Sequence, residues 1–166
     1  MPLIPISPSR TFEIWAIDFV GPFSIPGRRT GACYIITAVE FVTKWAKAEA
    51  VNTCSSEVIA KFIYENIIVH FGCPLTLLSD RGTHFLNKTI TALTQEFKIT
   101  HLKMTTYHPQ TNGVVESFNK TLVKGLTKIC NTDKNDWDDK IPAILWAYRT
   151  AYKRSTNQTP FRLIYG

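Results

Sequence analysis

Three carboxylates occupy positions where an ordinary surface acid is unexpected. Asp18 lies within an apolar stretch, Asp80 directly follows a short apolar run, and Glu116 follows a polar segment at the start of a helical pattern. Carboxylate oxygens are the ligands that Mg²⁺ prefers, and two such ions together can activate an attacking oxygen and stabilise a leaving oxyanion. Because the acids come from three separate elements, they suit that arrangement. The sequence therefore suggests a centre that binds divalent metal ions.

Each acid also has an ordinary structural interpretation, which the residues alone leave open. Asp18 could pair with a lysine or cap a turn, since an unpaired buried carboxylate is costly. Asp80 could open a tight turn that closes at Gly82. Glu116 could pair with Lys120 four residues later, for about 0.3–0.5 kcal/mol. The surroundings of the acids make three ordinary roles at once the weaker interpretation.

Alternating strands and helices are expected to position these acids. Period-two patterns and short apolar runs predict strands at 13–20, 32–41, 44–51, 75–78 and 99–103. Apolar spacing near 3.6 predicts helices around 58–67, 84–97, 114–130 and 136–152, and a last short helix from 159. Pro142 should kink or divide the fourth helix, and Met104–Gly113 reads as a polar loop. This order predicts a mixed five-stranded α/β domain at 13–166, behind an extended lead-in at 1–12.

Composition indicates one globular domain with a basic surface. The chain has 166 residues, of which 45% are hydrophobic and 19% charged, enough for a single core. No apolar run reaches the roughly 18 residues of a membrane span and no secretory signal is present, so no membrane partner is expected. The net charge of +6 mildly favours an anionic partner such as nucleic acid. A basic domain without such a partner fits the charge equally well.

The cysteine pattern argues against zinc and against a disulfide framework. The four cysteines have no CxxC pair among them, which favours a reducing compartment; they are Cys33, Cys54, Cys73 and Cys130. His70 lies close to Cys73 in sequence, but two ligands do not complete a zinc site.

The segments around the acids resemble those of a known family. Asp80 stands in LSDRGTHF at 78–85 and Glu116 in YHPQTNGVVESFNK at 107–120, and 35 residues separate the two acids. Asp18 stands in WAIDFVGP at 15–22. These motifs resemble the D,D(35)E catalytic core of retroviral and retrotransposon integrases, above all those of the Ty3/gypsy type. The segments 146–150 and 159–166 also match, so the resemblance covers nearly the whole chain.

The resemblance implies a ribonuclease H-like fold and a DNA integrase activity. Such a polynucleotidyl transferase processes the 3′ ends of element DNA and transfers them into target DNA. By resemblance, Asp18 bridges two Mg²⁺ (or Mn²⁺) ions, Asp80 holds one and Glu116 the other. The chain departs from the family pattern at Val114 and Glu40, neither of which is a metal ligand in the family.

The resemblance also implies DNA contacts and assembly. Candidate DNA-binding residues lie in the polar loop and on the helix after it: His108, Gln110, Asn112, Asn119, Lys120 and Lys124. Lys120, Lys124 and Lys128 fall about 40°, 80° and 120° round that helix from Glu116, and form a basic stripe. An ordinary solvated face is the alternative, and Arg28 and Arg29 offer another path for DNA.

We further expect a homodimer or higher oligomer, with apolar surface from the predicted helix at 136–152, including Ile141, Ile144, Leu145 and Trp146. The chain reads as an excised core domain of a nuclear protein, with any chromatin partner bound through other domains. Two rival functions remain open. One is a non-catalytic core used for DNA binding and dimerisation, and the other is a ribonuclease H-type nuclease.

Overall fold

One mixed sheet forms the centre of the molecule. The computed structural model describes residues 10–103 and 109–166, with 109–112 described as backbone only. The strands are β1 (Ile14–Val20), β2 (Tyr34–Glu40), β3 (Ala46–Val51), β4 (Thr76–Ser79) and β5 (Thr100–Lys103), in the spatial order β3-β2-β1-β4-β5. The first three are antiparallel neighbours, whereas β4 is parallel to β1 and β5 is parallel to β4. The predicted mixed five-stranded α/β sheet is confirmed.

Helices cover both faces of this sheet. The first, α1 (Ser56–Ile63), continues through a π-helical turn (Tyr64–Ile68) into α2 (Val69–Phe71). The others are α3 (Lys88–Glu96), α4 (Pro109–Ile129), α5 (Trp137–Thr150) and α6 (Pro160–Tyr165). As the Thr159-Pro160 pair predicts, the Thr159 hydroxyl caps α6 by accepting from the Arg162 N–H at 3.1 Å. Within residues 10–103 and 109–166, no helix has the length and apolar character needed to cross a membrane.

The alternation of β1 divides the interior into two apolar clusters. Ile14 and Ala16 belong to a cluster with buried residues of α4 and α5, whereas Trp15 and Ile17 belong to one with residues of α1 and α3. This confirms the predicted period-two faces of the strand. By the same alternation, Asp18 lies on the α4 side of the sheet.

The predicted start of one helix and the predicted division of another are wrong. The polar loop does not extend to Gly113, because α4 begins at Pro109. A proline is accommodated at the first helical position, where its missing N–H has no intrahelical partner to lose, and packing further along the helix offsets the cost of Gly113. Pro142 does not divide the next helix, since α5 runs unbroken from Trp137 to Thr150. Residues 104–108 of the predicted loop lie outside the described residues.

Most of the apolar surface assigned to self-association packs inside the domain instead. Ile141, Ile144 and Leu145 are buried in the cluster shared with α4. Gly125 of α4 makes this approach possible, because a Cβ there would stand 2.6 Å from the Ile144 Cδ1 atom. Only Trp146 of the four residues is exposed, at 58%. These three aliphatic residues therefore belong to the core of the domain and do not provide a surface for association.

A buried carboxylate fastens the residues just before β1 to the turn after β2. The Glu40 side chain is fully buried and accepts from the backbone N–H groups of Phe12, Val42 and Thr43 at 3.1, 3.1 and 2.6 Å. It also accepts from the Thr43 hydroxyl. Glu40, one of the departures from the family pattern, is thus a structural residue at the end of β1 opposite to Asp18.

A second buried carboxylate, Asp138, holds the loop before β2 against α5. Its Oδ2 atom accepts from the N–H groups of Arg29 and Thr30 at 3.1 and 2.9 Å, and from the Thr30 hydroxyl at 2.8 Å. Burial opposes the charge of Asp138, but these hydrogen bonds outweigh it and hold the pKa below its ordinary value. The carboxylate is therefore a structural anion.

Asp138→Ala is expected to destabilise the fold by about 2–4 kcal/mol, because it leaves two partly buried N–H donors without an acceptor and removes charge-assisted hydrogen bonds. Denaturant unfolding at pH 7 measures this. Exposed Asp133 provides the matched control, and Asp133→Ala should change stability by less than about 0.5 kcal/mol. Equal stability of the two variants would contradict the anchoring role of Asp138.

Candidate active site

The three predicted acids come from elements that meet on one side of the sheet. Ala16 of β1 lies opposite Leu78 of β4 in the parallel register, so two residues later the chain reaches Asp18 on one strand and Asp80 beside it. Helix α4, which carries Glu116, packs across β1, β2 and β4. Asp18 and Asp80 are half-buried, whereas Glu116 is exposed.

The pKa of Asp18 shows that the three carboxylates act on one another. Burial is the largest cause that raises it, and the charges of Asp80 and Glu116 raise it further. The Phe19 N–H has the opposite effect, and the net result is a pKa of about 6 in place of 3.8. Both other acids are thus close enough to repel the Asp18 charge. The arrangement is a concentration of negative charge at the end of β1.

This raised pKa makes folding stability depend on pH. The folded chain binds the Asp18 proton more tightly than the unfolded chain does. The contribution of Asp18 to stability is therefore full below about pH 4 and is lost as the pH rises through about 6. The total loss is about 2–3 kcal/mol. The cost arises mainly from burial of the charged Asp18 carboxylate, and the charges of Asp80 and Glu116 add to it.

Asp18→Asn is therefore expected to stabilise the metal-free protein at pH 8, raising the melting temperature by about 5 °C. The gain should disappear near pH 4, where Asp18 is protonated in the wild-type fold. Differential scanning calorimetry at both pH values measures the change, with exposed Asp133→Asn as the control. Destabilisation by Asp18→Asn at pH 8 would contradict the cost of keeping a charged Asp18 at this site.

Asn119 orients the Asp18 carboxylate. Its side-chain amide donates to the Asp18 Oδ2 atom at 3.2 Å, and its Oδ1 atom accepts from the Thr37 hydroxyl at 2.8 Å. Thr37 is fully buried and lies directly opposite Asp18 in the β1–β2 register. Asn119, a predicted DNA contact, thus lies one helical turn after Glu116 and binds the first acid. The pairing of Thr37 with Asp18 could not be read from the sequence, because the sequence alone does not set the register of β1 against β2.

Asp80 is held by the tight turn that follows it. The Gly82 N–H donates to the Asp80 Oδ1 atom at 2.8 Å, so the side chain of Asp80, and not its carbonyl, closes the turn. The His84 ring packs over Gly82, where a Cβ would stand 2.7 Å from the ring, and makes an edge contact with Phe19 at 5.1 Å. The turn that carries Asp80 is therefore packed against the strand that carries Asp18.

The other ordinary interpretations do not hold in the described structure. Across residues 10–103 and 109–166, the ion pairs join Arg28 and Arg29 to Asp139, at 3.0 and 2.9 Å. Neither Asp18 nor Glu116 forms an ion pair with a lysine in that part of the chain. The bonds from Asn119 to Asp18 and from Gly82 to Asp80 each engage one oxygen of a carboxylate that has two.

The three carboxylates fit divalent ions in chemistry but do not form a closed cage. In the part of the chain that is described, no three His, Cys, Asp or Glu side chains lie close enough together to enclose a metal ion. Hard divalent cations such as Mg²⁺ are bound by few protein carboxylates plus waters and phosphate oxygens. Asp18, Asp80 and Glu116 together make this region negative and leave room for waters and phosphate oxygens as further ligands. Their carboxylates therefore fit such ions.

The remaining predicted DNA contacts fall in two groups. His108 lies outside the described residues, and so do the side chains of Gln110 and Asn112. Lys120 and Lys124 are exposed on α4, together with Lys128. The basic stripe thus runs along the solvent face of the helix that presents Glu116.

The sheet order and the acids beside β1, β4 and α4 define a ribonuclease H-like domain. A family model described as "Integrase core domain" matches residues 8–109, more than half of the chain. The chain therefore belongs to the integrase core domain family, as the motifs around its acids indicate. The match covers Asp18 and Asp80.

One known protein resembles this chain in sequence, and solved structures of low sequence identity share its fold. The Pol polyprotein of transposon 412 from Drosophila melanogaster is 31% identical over 160 residues, which are 96% of this chain and 13% of that protein. An intasome structure from simian T-cell lymphotropic virus, in complex with the PP2A regulatory subunit B56 gamma, superposes with a TM-score of 0.75 at 17% identity, covering 93% of this chain and 55% of that one. The HTLV-2 integrase catalytic core in complex with magnesium, in a trimeric form, gives a TM-score of 0.65 at 20% identity and coverages of 91% and 95%.

Proposed function

We propose that this domain catalyses metal-dependent processing of element DNA 3′ ends and their transfer into target DNA. The observation that carries the proposal is the placement of Asp18 and Asp80 at the ends of neighbouring strands, on which α4 with Glu116 packs, so that both other charges act on Asp18. Three carboxylates that repel one another in the free protein gain most when a divalent cation joins them. Membership of the integrase core family supports the same reaction class.

The residues of the chain would divide the work as follows. Asp18, Asp80 and Glu116 would hold two Mg²⁺ or Mn²⁺ ions, which when bound supply activation of the attacking oxygen and neutralisation of phosphate charge. Asn119 and Thr37 fix the direction of the Asp18 carboxylate through hydrogen bonds. Gly82 does the same for Asp80 through its N–H. These bonds set the orientation of the acids before DNA arrives, which lowers the cost of assembling the reactive geometry.

DNA would lie along α4. Lys120, Lys124 and Lys128 are exposed and would contact the phosphate backbone, with His108, Gln110 and Asn112 nearer to the scissile bond. The similarity to proteins described as an intasome and as a trimeric core supports assembly into an oligomer on DNA. Action on host DNA would require the protein to enter the nucleus, and a chromatin partner would be bound by other domains of a longer protein.

A disintegration assay tests the reaction class. A branched DNA that mimics the joined product is incubated with the chain and Mg²⁺ or Mn²⁺, and an RNA–DNA hybrid is offered in parallel. We expect metal-dependent resealing of the branched DNA and no cutting of the hybrid. Cleavage of the hybrid alone would establish a ribonuclease H-type nuclease. Binding of the branched DNA without reaction would indicate a non-catalytic DNA-binding core.

A further inference from the structure

A buried hydroxyl and an imidazole lie directly behind Asp80. Ser79, the last residue of β4, is 1% exposed, and its hydroxyl donates to the Asp80 carbonyl at 2.9 Å. The same Oγ atom lies 2.6 Å from the Nε2 atom of His101 on β5. Ser79 pairs with Lys103 in the β4–β5 register, so the side chains of Ser79 and His101 lie on the same face of the sheet.

The single proton of the Ser79 hydroxyl fixes the direction of both hydrogen bonds. If that proton is donated to the Asp80 carbonyl, the Oγ atom can only accept from His101, so His101 must carry its proton on Nε2. Burial, followed by the nearby Lys103 charge, lowers the pKa of His101 and favours a neutral ring with one N–H. The chain of donors then runs from the imidazole through the hydroxyl to the Asp80 carbonyl.

These two hydrogen bonds hold Asp80 at a point where the sheet no longer does. Strand β4 ends at Ser79, and its register with β5 ends at the same residue, so the Asp80 carbonyl lies beyond the ladder. Fixing that carbonyl fixes the peptide plane after Asp80, while the Gly82 N–H fixes the carboxylate at the other end. The residue is therefore restrained through both its backbone and its side chain.

We infer that Ser79 and His101 are positioning residues for Asp80, which they orient toward the shared site without touching substrate. The inference rests on the proposed function, in which Asp80 holds a divalent ion. Partners of this kind, one bond removed from a ligand, commonly change metal affinity or activity by roughly tenfold to a hundredfold. A purely structural role would instead affect only the free energy of unfolding.

The tautomer of His101 tests the pair without metal or DNA. Long-range ¹H–¹⁵N correlation spectra of the metal-free protein distinguish the two neutral forms of the ring. We expect the His101 ring of the wild type to be in the Nε2–H form. In Ser79→Ala the ring should no longer be held in that one form. An Nδ1–H ring in the wild type would overturn the inference, because Ser79 would then donate to His101 and leave the Asp80 carbonyl unheld.

Metal affinity tests the consequence for Asp80. Ser79→Ala and His101→Phe are expected to raise the half-saturating Mn²⁺ concentration by roughly tenfold. The relaxation rate of solvent water measures this concentration. The same variants should lower kcat for disintegration by a similar factor and leave KM for DNA unchanged. Ser79→Thr and His101→Gln retain a hydroxyl and a side-chain N–H, and should restore much of both. Thr94→Ala is the matched control, because it removes another buried hydroxyl whose bonds to Ile90 and Thr91 stay within α3.

The outcomes separate this inference from the proposed function. Suppose that the wild type binds Mn²⁺ and is active, and that Ser79→Ala and His101→Phe bind Mn²⁺ and react as well as Thr94→Ala does. That result would overturn the positioning role alone. Absence of both Mn²⁺ binding and disintegration in the wild type would overturn the proposed function, and the positioning role with it. If Ser79→Ala fails to fold, the comparison of His101→Phe with His101→Gln decides the matter.

Discussion

Asp18→Asn, Asp80→Asn and Glu116→Gln are each expected to abolish metal-dependent DNA strand joining. Each substitution removes one negative charge and one strong oxygen donor from the shared site and changes the side-chain volume little. Charge stabilisation by a bound metal is worth several kcal/mol in the transition state, so each loss should reach about a thousandfold or more. Disintegration rates at saturating Mg²⁺ and Mn²⁺ measure the effect.

Two features make this result specific to the acids. Melting temperatures should be unchanged or higher in these variants, because the substitutions relieve repulsion in the free protein. Asp133→Asn and Glu96→Gln, which change exposed carboxylates elsewhere, should keep wild-type rates. An acid whose substitution leaves turnover near the wild-type level would not belong to the active site.

The second large effect concerns the basic stripe of α4, which consists of Lys120, Lys124 and Lys128. Each lysine that neutralises a phosphate releases counterions, and the slope of log affinity against log salt falls by about 0.9 per contact. Changing all three to glutamine should therefore flatten the salt slope for DNA binding by about 2–3 units. Fluorescence anisotropy with a labelled duplex across a salt series measures this slope.

A matched set of lysines supplies the control. Lys61, Lys88 and Lys98 are also exposed but lie on or beside α1 and α3, on the other side of the sheet, so their triple glutamine variant should change the slope little. An unchanged salt slope in the α4 variant would mean that Lys120, Lys124 and Lys128 face solvent and do not contact DNA. The alternative path at Arg28 and Arg29 is less favourable, because both guanidinium groups already bind Asp139.

The sequence predicts the strands and helices of this fold well where one face of the element is buried and its apolar residues recur periodically. All five strands, the faces of β1 and the cap of α6 follow from local patterns. Along α4, Val115, Phe118, Leu122 and Leu126 recur at helical spacing and are buried. Ile129 continues this spacing but is 42% exposed, because it is the last residue of the helix.

What the sequence does not predict depends on contacts between distant elements. The burial of Ile144 requires the close approach of α5 to Gly125, and no local pattern shows where a second helix will pack. The bonds of Asn119 and Thr37 to Asp18 depend on the registers of β2 and α4 against β1. The motifs identify the three acids, but the groups that orient them become visible only once the sheet is assembled.

The claim that Asp18, Asp80 and Glu116 form one divalent-metal site is tested most directly by paramagnetic relaxation. Mn²⁺ is titrated into the ¹⁵N-labelled chain, and the broadening of each backbone amide is recorded. Signals from 18–20, 80–82 and 115–117 should broaden first and together, recover when excess Mg²⁺ is added, and remain sharp in Asp18→Asn at the same Mn²⁺ concentration. Broadening centred on other acids, or broadening at these three segments that persists in Asp18→Asn, would contradict the shared site.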